Sequence, residues 1–369
     1  MGANVKALVI GGTGPTGPLI IEGLRSRGFK VSVLNRGVHP IPMPDDVEQI
    51  VGDPHFAEPL EAALSGRTFD LVVATYGRLK VTSEVLAGRA GRFIAVGGAV
   101  VYRGFNNPAA MWPSGQHLPV RETSPLAEVE TERFGALAVV AEETMLKHHP
   151  TATLFRYPYV YGPRQVTPRE WSLVRRVLDG RRTIVVMDGG LALNSHMFAN
   201  NAAHAIMLAV DKPDVAAGKL YNCADDEQFD QRQLIEIGAR ALGVELDVVS
   251  IPNIASAHGA LIQANEYHRF VDSNLTREEL GYRDLTPAAE AIAQTFRWYR
   301  DNPLERGGEY EQRRKDVFDY VSEDKLIELY RQFTAGIEAI EFKPRHENYA
   351  DHPYAHPKEA ATSRDQRGR

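Results

Sequence analysis

Only one of the 369 residues is a cysteine, Cys223. That excludes an internal disulfide and fits a reducing compartment, so a cytoplasmic protein is expected. Cys223 sits in the apolar run Leu220-Tyr221-Asn222-Cys223-Ala224 and reads as a small buried hydrophobe. No apolar run approaches the roughly 20 residues a membrane span needs, and no membrane partner is expected. The chain passes from Asn4 straight into a strand pattern, leaving no room there for a cleaved signal. Positive charge is in deficit, with 42 Lys and Arg against 48 Asp and Glu for a net charge of −6. This disfavours a nucleic-acid or anionic-membrane partner. Ordered metal ligands are also missing. His346, His352 and His356 lack regular spacing and carboxylate partners, and Pro353 and Pro357 break any helix there, so no metal is expected.

What is present is an ordinary globular composition, 43% apolar and 24% charged, long enough for a large core. Short apolar runs alternate with amphipathic stretches through the first half, which predicts βαβ units and a parallel sheet. Strands are expected over Val5–Ile10, Lys30–Leu34, Val47–Val51, Phe69–Ala74, Arg92–Val96 and Thr151–Phe155. Helices are expected over Leu19–Gly28 and Thr131–Lys147, with a Pro- and Gly-rich loop over Arg103–Pro125. Beyond Gly162-Pro163 the pattern changes to scattered helices, including Leu234–Leu242 and Ala288–Tyr299. The reading is an α/β, Rossmann-type doubly wound domain over residues 1–165, to which later segments return. A smaller substrate lobe follows over 166–305, then a helical extension and polar tail over 306–369. Helical periodicity resumes over Lys315–Ile340, Phe342–Arg369 reads as a polar arm, and the charged stretch Glu305–Asp316 reads as a solvated helix face.

The strongest motif is Gly11-Gly12-Thr13-Gly14-Pro15-Thr16-Gly17. Gly12, Gly14 and Gly17 fit G-x-G-x-x-G between a predicted strand and a predicted helix. Glycines there permit the tight turn, let the backbone approach a pyrophosphate, and let the helix pack on the strand. The helix N-terminus then offers N–H groups and partial positive charge to the phosphates. At the end of the second strand an acidic residue would take the ribose hydroxyls of NAD, but Asn35-Arg36 stands there. A neutral side chain followed by a guanidinium suits a 2′-phosphate, so NADP(H) is expected ahead of NAD(H).

These residues and later ones resemble the extended short-chain dehydrogenase/reductase superfamily, the NAD(P)-dependent epimerase/dehydratase group. The resemblance is carried by the loop at 11–17, by Phe93–Tyr102, and by Arg156 with Val160-Tyr161-Gly162-Pro163. Tyr221-Asn222 with Asp225, Asp272–Asn274 with Glu279–Gly281, and Trp298-Tyr299 with Asn302-Pro303 extend it over about residues 4–303. It implies Asp53 as an adenine-contacting acid, and Tyr76, after the fourth strand, joins the expected cofactor residues. It also implies a Ser/Thr, a Tyr and a Lys as the proton relay, but the aligned positions hold Gly98, Phe134 and Ala138. Residues 123–150 contain no tyrosine, so a shift of register does not restore the motif. Asn201 replaces a usual aspartate.

Without that relay, substitute acids are sought at strand ends. Tyr76, Tyr102 and Tyr157 all stand there; Tyr102 and Tyr157 are taken as the candidates, with His196 from the second lobe, each set against an ordinary packed role. Arg164 is a candidate clamp for an anion or a surface ion pair. Two functions stay open. One is an oxidoreductase with non-standard proton chemistry acting on an unidentified small molecule. The other is a non-catalytic sensor or scaffold, expected if Phe134 fills the cleft. A role beside RNA is disfavoured by the acidity, and a second copy of the chain is a candidate partner.

Overall fold

The computed structural model describes residues 5–38, 41–254, 267–314 and 316–343. His346, His352, His356 and most of the tail lie outside them. By compactness the chain divides into two units, 1–327 and 328–369. In the second, the described residues carry the later part of the helix Tyr320–Glu338.

The first unit is built on a seven-stranded parallel sheet. Its strands are β1 (Lys6–Ile10), β2 (Lys30–Asn35), β3 (Glu48–Val51), β4 (Phe69–Ala74), β5 (Ala90–Gly98), β6 (Thr153–Tyr157) and β10 (Leu220–Asn222). They lie in the order β10-β6-β5-β4-β1-β2-β3. Each inner strand contains an unbroken run of buried residues, as in Ala7–Ile10, Leu71–Ala74 and Phe93–Ala95, because helices cover both faces of a parallel sheet. On one face lie α1 (Gly17–Arg25) and α6 (Ala199–Asp211), packing Ile20, Leu24 and Ile206 on Val9, Val33 and Val73. On the other lie α2 (Ala57–Leu64), α3 (Leu79–Val85) and α4 (Arg133–His148), placing Leu60, Leu64 and Met145 against Leu8, Val72 and Phe93. Cys223 is fully buried in the first of these cores, as its apolar setting suggested.

Strand order reverses at β1, which pairs with β2 on one side and β4 on the other. Chain crossovers leave opposite faces there, opening a crevice at the strand C-termini. Short strands β7 (Tyr159–Tyr161) and β9 (His196–Phe198) pair beyond β6. A further core gathers Trp171 and Val174 of α5 (Glu170–Leu178), Ile184 of β8 (Thr183–Met187), Ile235 of α8 (Gln231–Leu242) and Phe296 of α9 (Ala288–Asp301). β8 pairs in parallel with β11 (Asp247–Ile251) beside it.

The expected strands and helices are found with ends shifted by a few residues. The stretch Glu305–Asp316 is a correction. Glu311 is buried and accepts hydrogen bonds from Trp171 Nε1 at 2.9 Å, Arg175 Nη1 at 2.5 Å and Gly307 N at 2.7 Å. Asp316 bonds the fully buried Arg176, which also holds Glu323. Buried guanidiniums need carboxylate partners, and those partners come from residues that in sequence look like solvated charge.

Asn201 also has a physical account. Its Nδ2 donates to Asp225 Oδ1 at 2.9 Å, while its Oδ1 accepts from Leu285 N and Thr286 N. An ionised aspartate at 201 would have no donor to offer and would oppose the Asp225 carboxylate in a buried site.

Candidate functional site

The crevice at the sheet reversal is a groove of about 770 Å³. Gly11, Thr13, Gly14, Pro15 and Thr16 line one side, and Asn35, Arg36 and Tyr76 border it. The glycines divide the work. Gly11 has φ +113°, and a Cβ there would stand 2.5 Å from Tyr76 Cβ. Gly12 and Gly17 do not line the groove. A Cβ on Gly12 would meet Val33 at 2.5 Å, and one on Gly17 would collide with the Gly12 carbonyl, so both serve the packing of α1 on the sheet. Gly14 differs: nothing lies within 4 Å of where its Cβ would be. Empty space beside this backbone, next to the N-terminus of α1, is what a phosphate ligand requires.

At the end of β2, Asn35 Oδ1 accepts from Gly37 N at 2.8 Å and shapes the turn. The exposed Arg36 guanidinium lies 5.5 Å from the ring centre of Tyr76, and both residues line the groove. Asp53 is not among the lining residues; its carboxylate accepts from His55 N at 3.0 Å and pairs with His55 Nδ1 at 2.7 Å. Those bonds hold it below the usual carboxylate range. His55 in turn meets Tyr76 edge-on, so Asp53 reaches the groove through that ring.

A second cavity, of about 310 Å³, continues from the groove beyond Val96, Tyr157 and Val160, which line both. Gly97, Gly98 and Ala99 at the end of β5 form its floor, and Arg169, Asn194 and Arg269 lie on its walls.

The three expected substitute acids are not available to it. Tyr102 is buried, with its hydroxyl donating to Asn222 Oδ1 at 2.6 Å and accepting from Arg156 Nη1 at 3.0 Å. Burial pushes its pKa up to about 12, and Arg156 is itself held by Glu142 at 2.6 Å. Tyr157 presents its ring to both cavities, but its hydroxyl donates to Ala202 O at 2.7 Å within the core. His196 lines a neighbouring small cavity, which shares Tyr159, Arg169 and Asn194 with this one, and lies against the rings of Tyr161 and Phe229. Strand C-termini do face the crevice; what the sequence cannot show is that these side chains turn back into the core.

Burial lowers the His196 pKa to about 4, so the imidazole is neutral near pH 7. Its Nε2 is buried without a hydrogen-bond partner. A depressed pKa means that the stabilising term is fully present above the ordinary value of 6.5 and is lost as pH falls toward 4. We expect wild type to lose on the order of 2–3 kcal/mol more stability than His196→Phe between pH 7.5 and 4.5. Urea unfolding at the two pH values checks this; equal losses would show that the ring charges without penalty.

Phe134, in the first turn of α4, is 70% exposed and lines neither cavity, and Ala138 packs on the small core around Ala99 and Val101. The cleft is therefore not filled by Phe134. Arg164, with φ +65°, lines the groove on the far side from the glycine loop. Sequence reasoning missed Leu304, Tyr310 and Arg313, which also line that side. It missed Arg169, Arg269 and Gln116 in the smaller cavity as well. Isolated arginines in loops carry no periodic signal, so only the fold could collect them. Among the described residues there is no cluster able to hold a metal ion and no helix long and apolar enough to cross a membrane.

Residues 107–224 match the NAD dependent epimerase/dehydratase family. A dTDP-glucose 4,6-dehydratase of Streptomyces antibioticus is 28% identical over 217 residues, 58% of this chain and 58% of that protein. A 3-diazoavenalumate denitrifying reductase of Streptomyces is 27% identical over 256 residues, 65% of this chain and 82% of that protein. The fold is similar to that of the Bordetella bronchiseptica enzyme WbmH in complex with NAD+, with a TM-score of 0.65 and 17% identity, covering 81% of this chain and 100% of that one. A UDP-glucose 4-epimerase of Thermotoga maritima gives a TM-score of 0.65 at 16% identity, over 81% of this chain and 100% of that one. With the glycine loop at the sheet reversal and the later landmarks in their order, these matches make the chain similar, in sequence over its middle part and in fold, to NAD dependent epimerase/dehydratase proteins.

Proposed function

We propose that the protein is an NADP(H)-dependent oxidoreductase that transfers hydride without a tyrosine–lysine proton relay. The observation that carries this reading is the open cavity continuing from the groove: its two lining tyrosines are engaged elsewhere, Tyr157 donating to Ala202 O at 2.7 Å and Tyr159 to Thr167 O at 3.2 Å, and no lysine lines it among the described residues. The sensor or scaffold alternative expected a cleft filled by Phe134, and that side chain lies outside it.

The residues present fit the cofactor. The backbone at Gly14 leaves room for a pyrophosphate, and Arg36 stands beside the ribose position at the end of β2. When bound, NADPH supplies a hydride at its nicotinamide ring. Val96, Tyr157 and Val160, between the two cavities, present apolar surface there and exclude water. A substrate lying here would take that hydride at an electron-poor carbon, such as the end of a conjugated double bond, and would need a balancing proton from solvent at the atom left negative, with NADP+ as the other product. The denitrifying reductase among the relatives is named for a reduction that removes nitrogen, which supports chemistry other than carbonyl reduction in this branch. The WbmH structure holds NAD+, whereas preference for NADP here rests on Asn35-Arg36.

The test is calorimetric titration of wild type and Arg36→Ala with both cofactors. Loss of a guanidinium from a 2′-phosphate should weaken NADP+ binding by on the order of 1.5–3 kcal/mol, roughly ten- to a hundredfold, while NAD+ binding stays unchanged. Equal affinity of wild type for the two cofactors would overturn the NADP assignment.

A further inference from the structure

The smaller cavity is lined asymmetrically in charge. Arg169, Arg269 and Gln116 line it, and among the described residues no carboxylate does. Gln116 Nε2 is buried and has no hydrogen-bond partner. Arg169 lies 3.9 Å over the ring of Tyr159 and donates to the Asn194 side-chain oxygen, with the Asn194 amide turned to accept. Among the described residues it has no carboxylate within ion-pair distance. Its surroundings strip water from it and push its pKa down to about 10. Arg169 is half-buried and Glu170 favours its charge; a guanidinium with donors left over and a buried N–H without an acceptor still cost free energy, and a ligand that brings an acceptor recovers part of it.

Much of the rest of the wall is apolar, with Val96, Val100, Phe105 and Val271, and Asn194, Ser195 and Tyr159 add polar groups. At about 310 Å³ the cavity lies at the lower end of the range for small-molecule sites, roughly 300–1,000 Å³. A nucleoside diphosphate sugar, with a base, two phosphates and two sugars, is a poor match to that space. A compact apolar body with one planar oxyanion matches it. A guanidinium offers two parallel N–H groups to a carboxylate, and the Gln116 amide can bond the same group.

We propose that this cavity binds a small carboxylate substrate of apolar body, with its charge held by Arg169 and Gln116. The inference rests on the oxidoreductase reading, since it takes this cavity as the place of hydride transfer. Arg169 and Gln116 are positioning residues in this scheme. They fix one end of the substrate so that its electron-poor carbon lies toward Val96 and Val160, where the groove begins.

The probes are cinnamate, its neutral amide cinnamamide, and phenyl phosphate, titrated by calorimetry with and without saturating NADP+. Cinnamate should bind wild type at least tenfold more tightly than cinnamamide. Arg169→Gln should erase that difference, Arg169→Lys should retain part of it, and Gln116→Leu should lower cinnamate affinity severalfold. Circular dichroism confirms the fold of each variant, and if Arg169→Gln fails to fold, the amide-to-acid ratio in Gln116→Leu decides. Equal binding of acid and amide, or no change in either variant, would overturn the proposal. Phenyl phosphate binding more tightly than cinnamate would overturn the choice of a carboxylate. NADP+ binding without cinnamate binding removes this inference alone; cinnamate binding without NADP+ binding removes the oxidoreductase reading.

Discussion

Wild-type protein with NADPH should turn over simple aldehydes and ketones at rates far below the roughly 1–10³ per second of ordinary enzymes. A carbonyl oxygen that receives negative charge after hydride addition needs a proton donor within hydrogen-bond reach, and such donors contribute about 10²–10⁴ in rate. Here Gly98 forms the cavity floor with no side chain, while Phe134 and Ala138 lie outside the cavity. Of the two tyrosines lining the cavity, Tyr157 has its hydroxyl bonded to Ala202 O at 2.7 Å and Tyr159 to Thr167 O at 3.2 Å, while Tyr102 is bonded between Asn222 and Arg156. None of the three can deliver a proton without breaking these hydrogen bonds. Restoring one group at a time, through Gly98→Ser, Phe134→Tyr or Ala138→Lys, should leave carbonyl activity undetected, because groups that act as a unit do not contribute singly. Gly98→Ser is a clean member of the set, since a Cβ at 98 meets nothing closer than Val100 Cγ1 at 3.5 Å. The assay follows NADPH absorbance against a panel of aldehydes, ketones and sugar nucleotides. Turnover of any of them near 1 per second would mean that an acid reaches the cavity which the present geometry does not place there.

The fold was readable because its signals are local and repeated. The buried runs Ala7–Ile10 and Leu71–Ala74 and the glycines between β1 and α1 each announce themselves within ten residues. That Gly14, Asn35 and Arg36 line the groove was readable for the same reason, since they stand at fixed offsets from strand ends. The rest was hidden by direction and distance. Sequence places Tyr102 and Tyr157 at strand termini but says nothing of which way their hydroxyls turn. Arg169, Gln116 and Arg269 are separated by long stretches of chain and meet only when β7, β9 and the loop after β5 come together. Glu311 and Asp316 looked solvated because their partners, Arg175 and Arg176, lie some 140 residues earlier. Charge was legible, but its pairing was not.

Gly14→Val should abolish dinucleotide binding and leave the protein folded. Two of its neighbours in the motif could not show this separation. Valine at 17 would drive its Cβ into the Gly12 carbonyl and lift α1 from the sheet, and at 12 it would meet Val33 at 2.5 Å. Gly14 has no protein atom within 4 Å of its would-be Cβ and is not among the glycines of positive φ. The substitution therefore asks for neither a new backbone conformation nor a repacked neighbour. Steric occupation of the groove is its whole effect. The branched side chain stands where phosphate oxygens must approach the N-terminus of α1. Each charge-assisted hydrogen bond lost is worth about 1.5–3 kcal/mol, so two of them weaken binding by roughly 100-fold or more. The melting temperature without cofactor should stay within about 2 °C of wild type, since a 1 kcal/mol loss would shift a protein of this size by about that much. Gly17→Val, measured beside it, should lower the melting temperature strongly. NADP+ and NAD+ titrations on the folded Gly14→Val variant decide the matter: affinity equal to wild type for either cofactor would mean that the loop does not hold the pyrophosphate.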